Sequence, residues 1–270
     1  MNKNNKINLI AELGWNHMGD MSIAKKMIIA AKEAGANICK FQAWSEENLK
    51  SGPWDEDGRR EIYKKAGLNS DQFKELLEFC SSNNVKFCTS IFNIKDFKLF
   101  EELDFDLIKI PSHEVYNLEL IKEAVKRYKY VLISLGACKW SEVIKIKENF
   151  LNIIPMHCVS SYPLEPKMAN FPKMQEIKKL FNNFGYSGHY SGIEDAIIAA
   201  VEGAIYIEKH FTIDKNLPGR DNKFALLPEE FKKISDFINI FDEMNINRGL
   251  DVQESELDIF KNYRGRWSKN

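Results

Sequence analysis

Eight short apolar, β-branched runs alternate with longer amphipathic stretches from one end of this chain to the other, at 7–14, 38–44, 86–92, 107–112, 130–136, 153–160, 185–189 and 205–212. The stretches between and after them, at 22–35, 70–84, 94–103, 118–128, 141–150, 173–183, 193–203 and 229–244, carry helical periodicity. A strand followed by a crossover helix, repeated, builds a parallel sheet wrapped by helices. Eight of each close into a barrel, so the expected fold is α/β, a single (β/α)8 TIM barrel over 1–250 with a tail at 251–270. Helix starts are marked by Ser70 before Asp71, by Ser141 before Glu142 and by Pro228-Glu229-Glu230, and Gly35 and Gly203 stand where helices should stop. The first strand-to-helix turn, Gly14-Trp15-Asn16-His17-Met18-Gly19-Asp20, lacks the GxGxxG of many open doubly wound sheets. The longest connection, 45–69, is expected to hold a short helix at 57–66 that either covers the site or decorates the surface.

With 270 residues, 44% apolar and 29% charged, the chain has the size of one barrel and the composition of a globular protein. Its 38 basic and 39 acidic residues nearly cancel, so no global field recruits nucleic acid or an anionic membrane. Any anionic ligand must be held by local groups. The opening Met1 to Lys6 is polar and lacks the apolar core of a signal peptide, and no stretch approaches the ~20 apolar residues of a membrane span. Five scattered cysteines without CxxC spacing read as reduced thiols, and the expected location is the cytoplasm.

In an α/β barrel the active site forms at the carboxyl ends of the strands. Polar residues collect at those ends here: Glu12, Asn16 and His17; Lys40 and Gln42; Thr89 and Ser90; Lys109, Ser112, His113 and Glu114; Ser134 and Gly136; His157, Ser160 and Tyr162; Ser187 and His189; Glu208, Lys209 and His210. Lys40 and Gln42 are two apart, so both face one side, into the barrel mouth. Buried cations at 40 and 109 require anionic partners, and either carboxylates such as Glu12 and Glu114 neutralise them or the substrate does. Two lysines among several hydroxyls describe a site for phosphate or carboxylate oxygens. His189 and His210 close adjacent strands, and neutral imidazoles there suit a divalent metal; His157 and His17 compete for that role.

A string of segments in this order resembles one known family. Ala11-Glu12-Leu13-Gly14-Trp15-Asn16-His17, Lys40-Phe41-Gln42, Lys109-Ile110-Pro111-Ser112-His113-Glu114, Ser134-Leu135-Gly136, His157-Cys158-Val159-Ser160-Ser161-Tyr162-Pro163, Ser187-Gly188-His189, Glu208-Lys209-His210-Phe211-Thr212 and Pro218-Gly219-Arg220-Asp221 are similar to motifs of the sialic acid synthases and their pseudaminic and legionaminic acid relatives. The resemblance spans about 12–221. It implies a phosphoenolpyruvate-dependent transferase that condenses this substrate with an N-acetylated amino-sugar aldehyde, releasing phosphate and a nine-carbon 2-keto acid. It implies that His189 and His210 hold a divalent metal, Mn²⁺ first, with Mg²⁺, Co²⁺ or Zn²⁺ as alternatives. Lys109, Ser112, Ser134, Ser187 and Ser90 would surround phosphoenolpyruvate, with Lys40 and Ser160 also at the substrate, while Gln42, Tyr162 and Asp221 face the sugar. Glu12 and Glu114 are the candidates for orienting water and moving protons, and Lys109 belongs with them as a catalytic cation. A homodimer is expected, as is usual in the family.

Three positions depart from the family pattern: Gly188 stands in place of an aspartate, His113 in place of a glycine, and Ser160 in place of an asparagine. The family's usual C-terminal antifreeze-like domain, which lends an arginine to the partner's sugar site, is not matched in this sequence; Arg264 or Arg266 is the candidate substitute, set against the reading of a solvated basic tail. Two other readings stay open: another barrel enzyme, such as a deoxy-keto-acid phosphate synthase or metal aldolase, and a non-catalytic sugar-binding protein.

Overall fold

A computed structural model describes residues 6–53 and 55–268; the polar opening at 1–5 and the last two tail residues lie outside the described residues. The strands are β1 (Asn8–Gly14), β2 (Ile38–Ala43), β3 (Lys86–Ile91), β4 (Leu107–Ile110), β5 (Tyr130–Ser134), β6 (Ile154–Cys158), β7 (Gly185–Gly188) and β8 (Tyr206–His210). Each is parallel to the next, and β8 returns to pair with β1, closing the barrel. The helices are α1 (Met21–Glu33), α2 (Arg59–Ala66), α3 (Ser70–Ser82), α4 (Leu118–Arg127), α5 (Trp140–Asn149), α6 (Phe171–Leu180), α7 (Glu194–Val201) and α8 (Pro228–Met244).

The period-two alternation of the strands divides the core. Outward residues such as Leu9, Ala11, Phe41, Ile108, Ile133 and Ile207 pack beneath Met27, Phe73, Leu120, Ile146, Ile177 and Ile234 of the helices. Inward, Ile10, Ile38, Cys88, Leu107, Leu132, Met156 and Tyr206 form a second apolar cluster that fills the lower barrel. Two residues further along the same strands the inward face becomes polar: Glu12, Lys40, Ser90, Lys109, Ser134 and Glu208, joined by Ser187 of β7, all buried. Strand register sets these side by side, with Glu12 opposite both Lys40 and His210, Ser90 opposite Lys109, and Ser187 opposite Glu208. The floor is therefore sealed with hydrocarbon, and chemistry begins one layer above it.

The expected strands all form, each ending within about three residues of its sequence-based limit. The stretch 94–103 is not an α-helix but a 3-10 helix, Ile94–Phe100. Its period of three keeps Phe97 and Phe100 on one buried side within a short connection. Helix α3 starts at Ser70 as expected, while α5 starts one residue before its expected limit. Asn69, not Ser70, caps α3 in a reciprocal capping box with Gln72, and α5 begins at Trp140, where Glu142 accepts the Lys139 N–H at 2.7 Å. The 45–69 connection does carry its helix, α2, entered at Arg59. All five cysteines are free, four of them buried. Among the described residues no helix is long and apolar enough to cross a membrane.

After α8 the chain from 245 to 268 runs over the surface, with Leu250 fully exposed and Trp267 88% exposed. Phe73, by contrast, is fully buried and meets the Phe100 ring edge-on at 5.1 Å. Phe73→Ala is expected to lower unfolding stability by about 3–5 kcal/mol through the cavity it leaves, whereas Leu250→Ala stays within about 0.5 kcal/mol. Urea denaturation of both variants checks this, and equal midpoints would refute it.

Candidate active site

Four charged side chains interlock in the throat of the barrel. Lys40 pairs with Glu12 and lies 3.7 Å from Glu208, while Lys109 pairs with Glu208 at 2.8 Å. Lys40 also donates to Ser90 Oγ at 2.9 Å, Ser187 Oγ donates to Glu208 at 3.0 Å, and Gln42 Nε2 donates to Glu12 at 2.6 Å. All four side chains are buried, and with both carboxyls ionised their charges cancel. Sequence reasoning offered Glu12 and Glu114 as neutralisers, and here the structure corrects it. Glu114 sits on the turn Ser112–Glu114, half-buried, and accepts from Asn117 Nδ2 at 3.3 Å, with neither lysine paired to it among the described residues. Glu208 takes the place expected for it. The signal was present: the alternation that turns Lys40 and Gln42 inward also turns Glu208 and His210 inward and Lys209 outward.

The environment separates the two carboxyls. Burial, helped by the nearby Glu208 charge, pushes Glu12 up to about 7 despite the opposing pull of Lys40. Burial acts on Glu208 in the same sense, but the Lys109 and Lys40 ammoniums overrule it and hold that carboxylate down at about 2. One carboxyl thus stays ionised and the other exchanges a proton near neutrality, the division of labour that acid–base chemistry requires.

On the β4–β6 side, Ser112 and Ser160 hydroxyls stand 2.7 Å apart. A Cβ on Gly136 would meet Ser160 Oγ at 2.5 Å and Ser112 Cβ at 3.1 Å, so the bare glycine keeps this corner open. Ser134 is buried at the end of β5, and Lys173 fixes the following segment by donating to the Leu135 carbonyl at 2.6 Å. Hydroxyls flanking the buried lysine pair form a donor set for an anionic group.

Across the mouth, the His189 and His210 rings lie 5.5 Å apart. His189 Nδ1 is 2.7 Å from the Val159 carbonyl, which can only accept, so Nδ1 carries the proton and Nε2 keeps its lone pair. His210 Nδ1 is buried without a hydrogen-bond partner, 3.5 Å from Asp221. Burial holds His189 down at about 4, and burial with the neighbouring His189 holds His210 well below its usual range. Both are neutral imidazoles, the form that ligates metal, and the unsatisfied nitrogen of His210 fits that role. Among the described residues no cluster of three His, Cys, Asp or Glu side chains forms a ligand set, so water or substrate oxygens would complete the shell around two imidazoles. Tyr162, 52% exposed, lies with its ring centroid 3.9 Å from that of His189, tilted by 43°, and 6.1 Å from that of His210. Asp221 is pushed up to about 6 by burial, against the Trp15 indole N–H.

The competing histidines face elsewhere. His17 Nδ1 accepts from the Gly19 N–H at 3.0 Å, and His157 lies 2.8 Å from the Ala169 carbonyl on the outer side of β6. Arg264 and Arg266 lie in the exposed tail, over the rings of Phe260 and Tyr263.

The raised Glu12 carboxyl binds its proton more tightly folded than unfolded. Its contribution to stability is full below about 4.5 and is lost as pH rises to about 7, whereas that of Glu208 is present above about 4.5 and is lost as pH falls toward 2. Glu12→Gln is expected to flatten the decline in melting temperature between about pH 5 and 8 relative to wild type. Thermal melts at stepped pH measure this; parallel curves would count against it.

A model of the NeuB family matches residues 27–247. The N,N'-diacetyllegionaminic acid synthase of Campylobacter jejuni is 34% identical over 245 residues, covering 84% of this chain and 73% of that protein. A pseudaminic acid synthase from Campylobacter jejuni is 30% identical over 273 residues, covering 95% of this chain and 80% of that protein. Among solved structures, a sialic acid synthetase from Leptospira borgpetersenii superposes with a TM-score of 0.88 at 30% identity, covering 99% of this chain and 94% of that one.

Proposed function

The chain belongs to the NeuB family, and on that premise we propose that it condenses phosphoenolpyruvate with an N-acetylated amino-sugar aldehyde, N-acetylmannosamine or a diacetamido-trideoxy hexose. The product is a nine-carbon 2-keto sugar acid. In this reaction the vinyl carbon of phosphoenolpyruvate bonds to the aldehyde carbon, whose oxygen takes a proton; water adds at the former enol carbon, and phosphate leaves by carbon–oxygen cleavage. The observation that carries the proposal is the Glu12–Lys40–Glu208–Lys109 ladder facing two neutral histidines across one mouth.

Lys109 and Lys40, with Ser90, Ser112, Ser134, Ser160 and Ser187, would bind the carboxylate and phosphate of phosphoenolpyruvate through charge-assisted donors. Glu208 holds both ammoniums in place, so their donors are aimed before substrate arrives. Glu12, with its carboxyl near neutrality, is the group suited to pass a proton, and Glu114 at the rim is assigned to orienting water. Gln42, Tyr162 and Asp221 would face the sugar. A divalent metal held by His189 and His210, Mn²⁺ first, would polarise the aldehyde carbonyl as a Lewis acid. Tyr162, beside His189, would shield one side of that pair.

Free, mostly buried thiols support a cytoplasmic setting. The apolar side chains displayed by the 245–268 segment support a homodimer that covers some of them.

Phosphate release from phosphoenolpyruvate with Mn²⁺ tests the proposal. Release is expected to require an acetamido sugar and to fall to background in His210→Ala. Release driven instead by a tetrose or pentose phosphate, or none with any acceptor, would overturn it.

A further inference from the structure

Behind the two histidines, on the outer face of β7 and β8, lies a second buried charge pair separated from the throat by the strands themselves. Lys209 is 1% exposed and Asp195, in the first turn of α7, is 3% exposed. Lys209 Nζ donates to Asp195 Oδ1 at 2.8 Å, to Asp195 Oδ2 at 2.7 Å and to the Tyr190 carbonyl at 2.6 Å. Its three hydrogens meet three acceptors, so the ammonium has no spare donor. Asp195 also accepts from the Tyr186 hydroxyl at 2.9 Å.

The chain positions of these groups give the pair its significance. Lys209 immediately precedes His210, and Tyr190 immediately follows His189. One ammonium therefore ties the backbone leaving the first histidine to the strand that ends in the second, while Asp195 anchors it to the helix layer. Gly188, the residue before His189, is what admits the arrangement. A Cβ there would lie 2.4 Å from Asp195 Oδ2 and 2.5 Å from Tyr186 Cε1. The carboxylate from α7 occupies the space a side chain at 188 would fill.

We infer that the Lys209–Asp195 pair is a positioning device that fixes the separation of His189 and His210, and that metal binding by these histidines depends on it. The inference rests on the reading of His189 and His210 as metal ligands. A buried pair that only supported the fold would be replaceable by apolar residues of similar volume, because removing both charges leaves none stranded. A pair that positions the histidines would not, since the apolar substitute has no donor for the Tyr190 carbonyl.

The test is a Mn²⁺ titration of the metal-free protein, read by the electron paramagnetic resonance of free Mn²⁺, alongside the melting temperature of each variant. Wild type is expected to bind, and His210→Ala to lose binding. Asp195→Asn, Gly188→Ala and the double variant Asp195→Leu with Lys209→Met are each expected to bind about 10–100-fold more weakly, the usual effect of removing support behind a metal ligand. The double variant is expected to melt close to wild type, which separates positioning from folding. Wild-type affinity in Asp195→Asn or in the double variant would overturn the inference. Failure of wild type itself to bind Mn²⁺ would overturn the metal reading, and this inference with it.

Discussion

An ammonium enclosed in a protein interior costs several kcal/mol unless a carboxylate and further acceptors surround it. Two such ammoniums, Lys40 and Lys109, stand in the throat of this barrel, and the upper layer is organised around that requirement. Glu12 and Glu208 answer the charge, Ser90 and Ser187 take up remaining hydrogen bonds, and Gln42 braces Glu12. Because the two lysines share Glu208, neither shifts independently of the other. The apolar floor below denies water to the group, which strengthens each contact inside it.

The same enclosure separates the roles of the titratable groups. Near two cations Glu208 stays ionised; with one cation and a neighbouring anion, Glu12 is left near neutrality. His189 and His210, a few ångströms away, are held neutral by burial. A proton-exchanging carboxyl, a fixed carboxylate, two aimed ammoniums and two metal-ready imidazoles thus arise from one scaffold, through differences in local charge and water access. The outer Lys209–Asp195 pair extends the logic to the back of the strands, where a buried charge pair joins the two histidine-bearing ends.

Most of the fold was legible in the residues because the barrel repeats one simple pattern. Period two gives the strands and period 3.6 the helices, and the same alternation identifies which strand residues face inward. Ile10 and Glu12, or Ile38 and Lys40, show where the inward face changes from hydrocarbon to charge. Local competition decided what the pattern missed. Asn69 caps α3 with Gln72 returning its bond, a detail the helical period does not record, and the short 94–100 stretch tightens to a 3-10 helix that keeps Phe97 and Phe100 together.

The sequence by itself determined the barrel, the strand ends where polar groups gather and the identity of the inward lysines and histidines, since each follows from spacing along one strand. Only the tertiary structure decided which carboxylate answers which cation. Glu208 rather than Glu114 neutralises Lys109, and Asp195, reaching across from α7, fills the space beside Gly188. The Lys109–Glu208 pairing alone joins residues 99 positions apart. Ion pairing depends on distance and burial in three dimensions, which the periodicity of a single chain does not record.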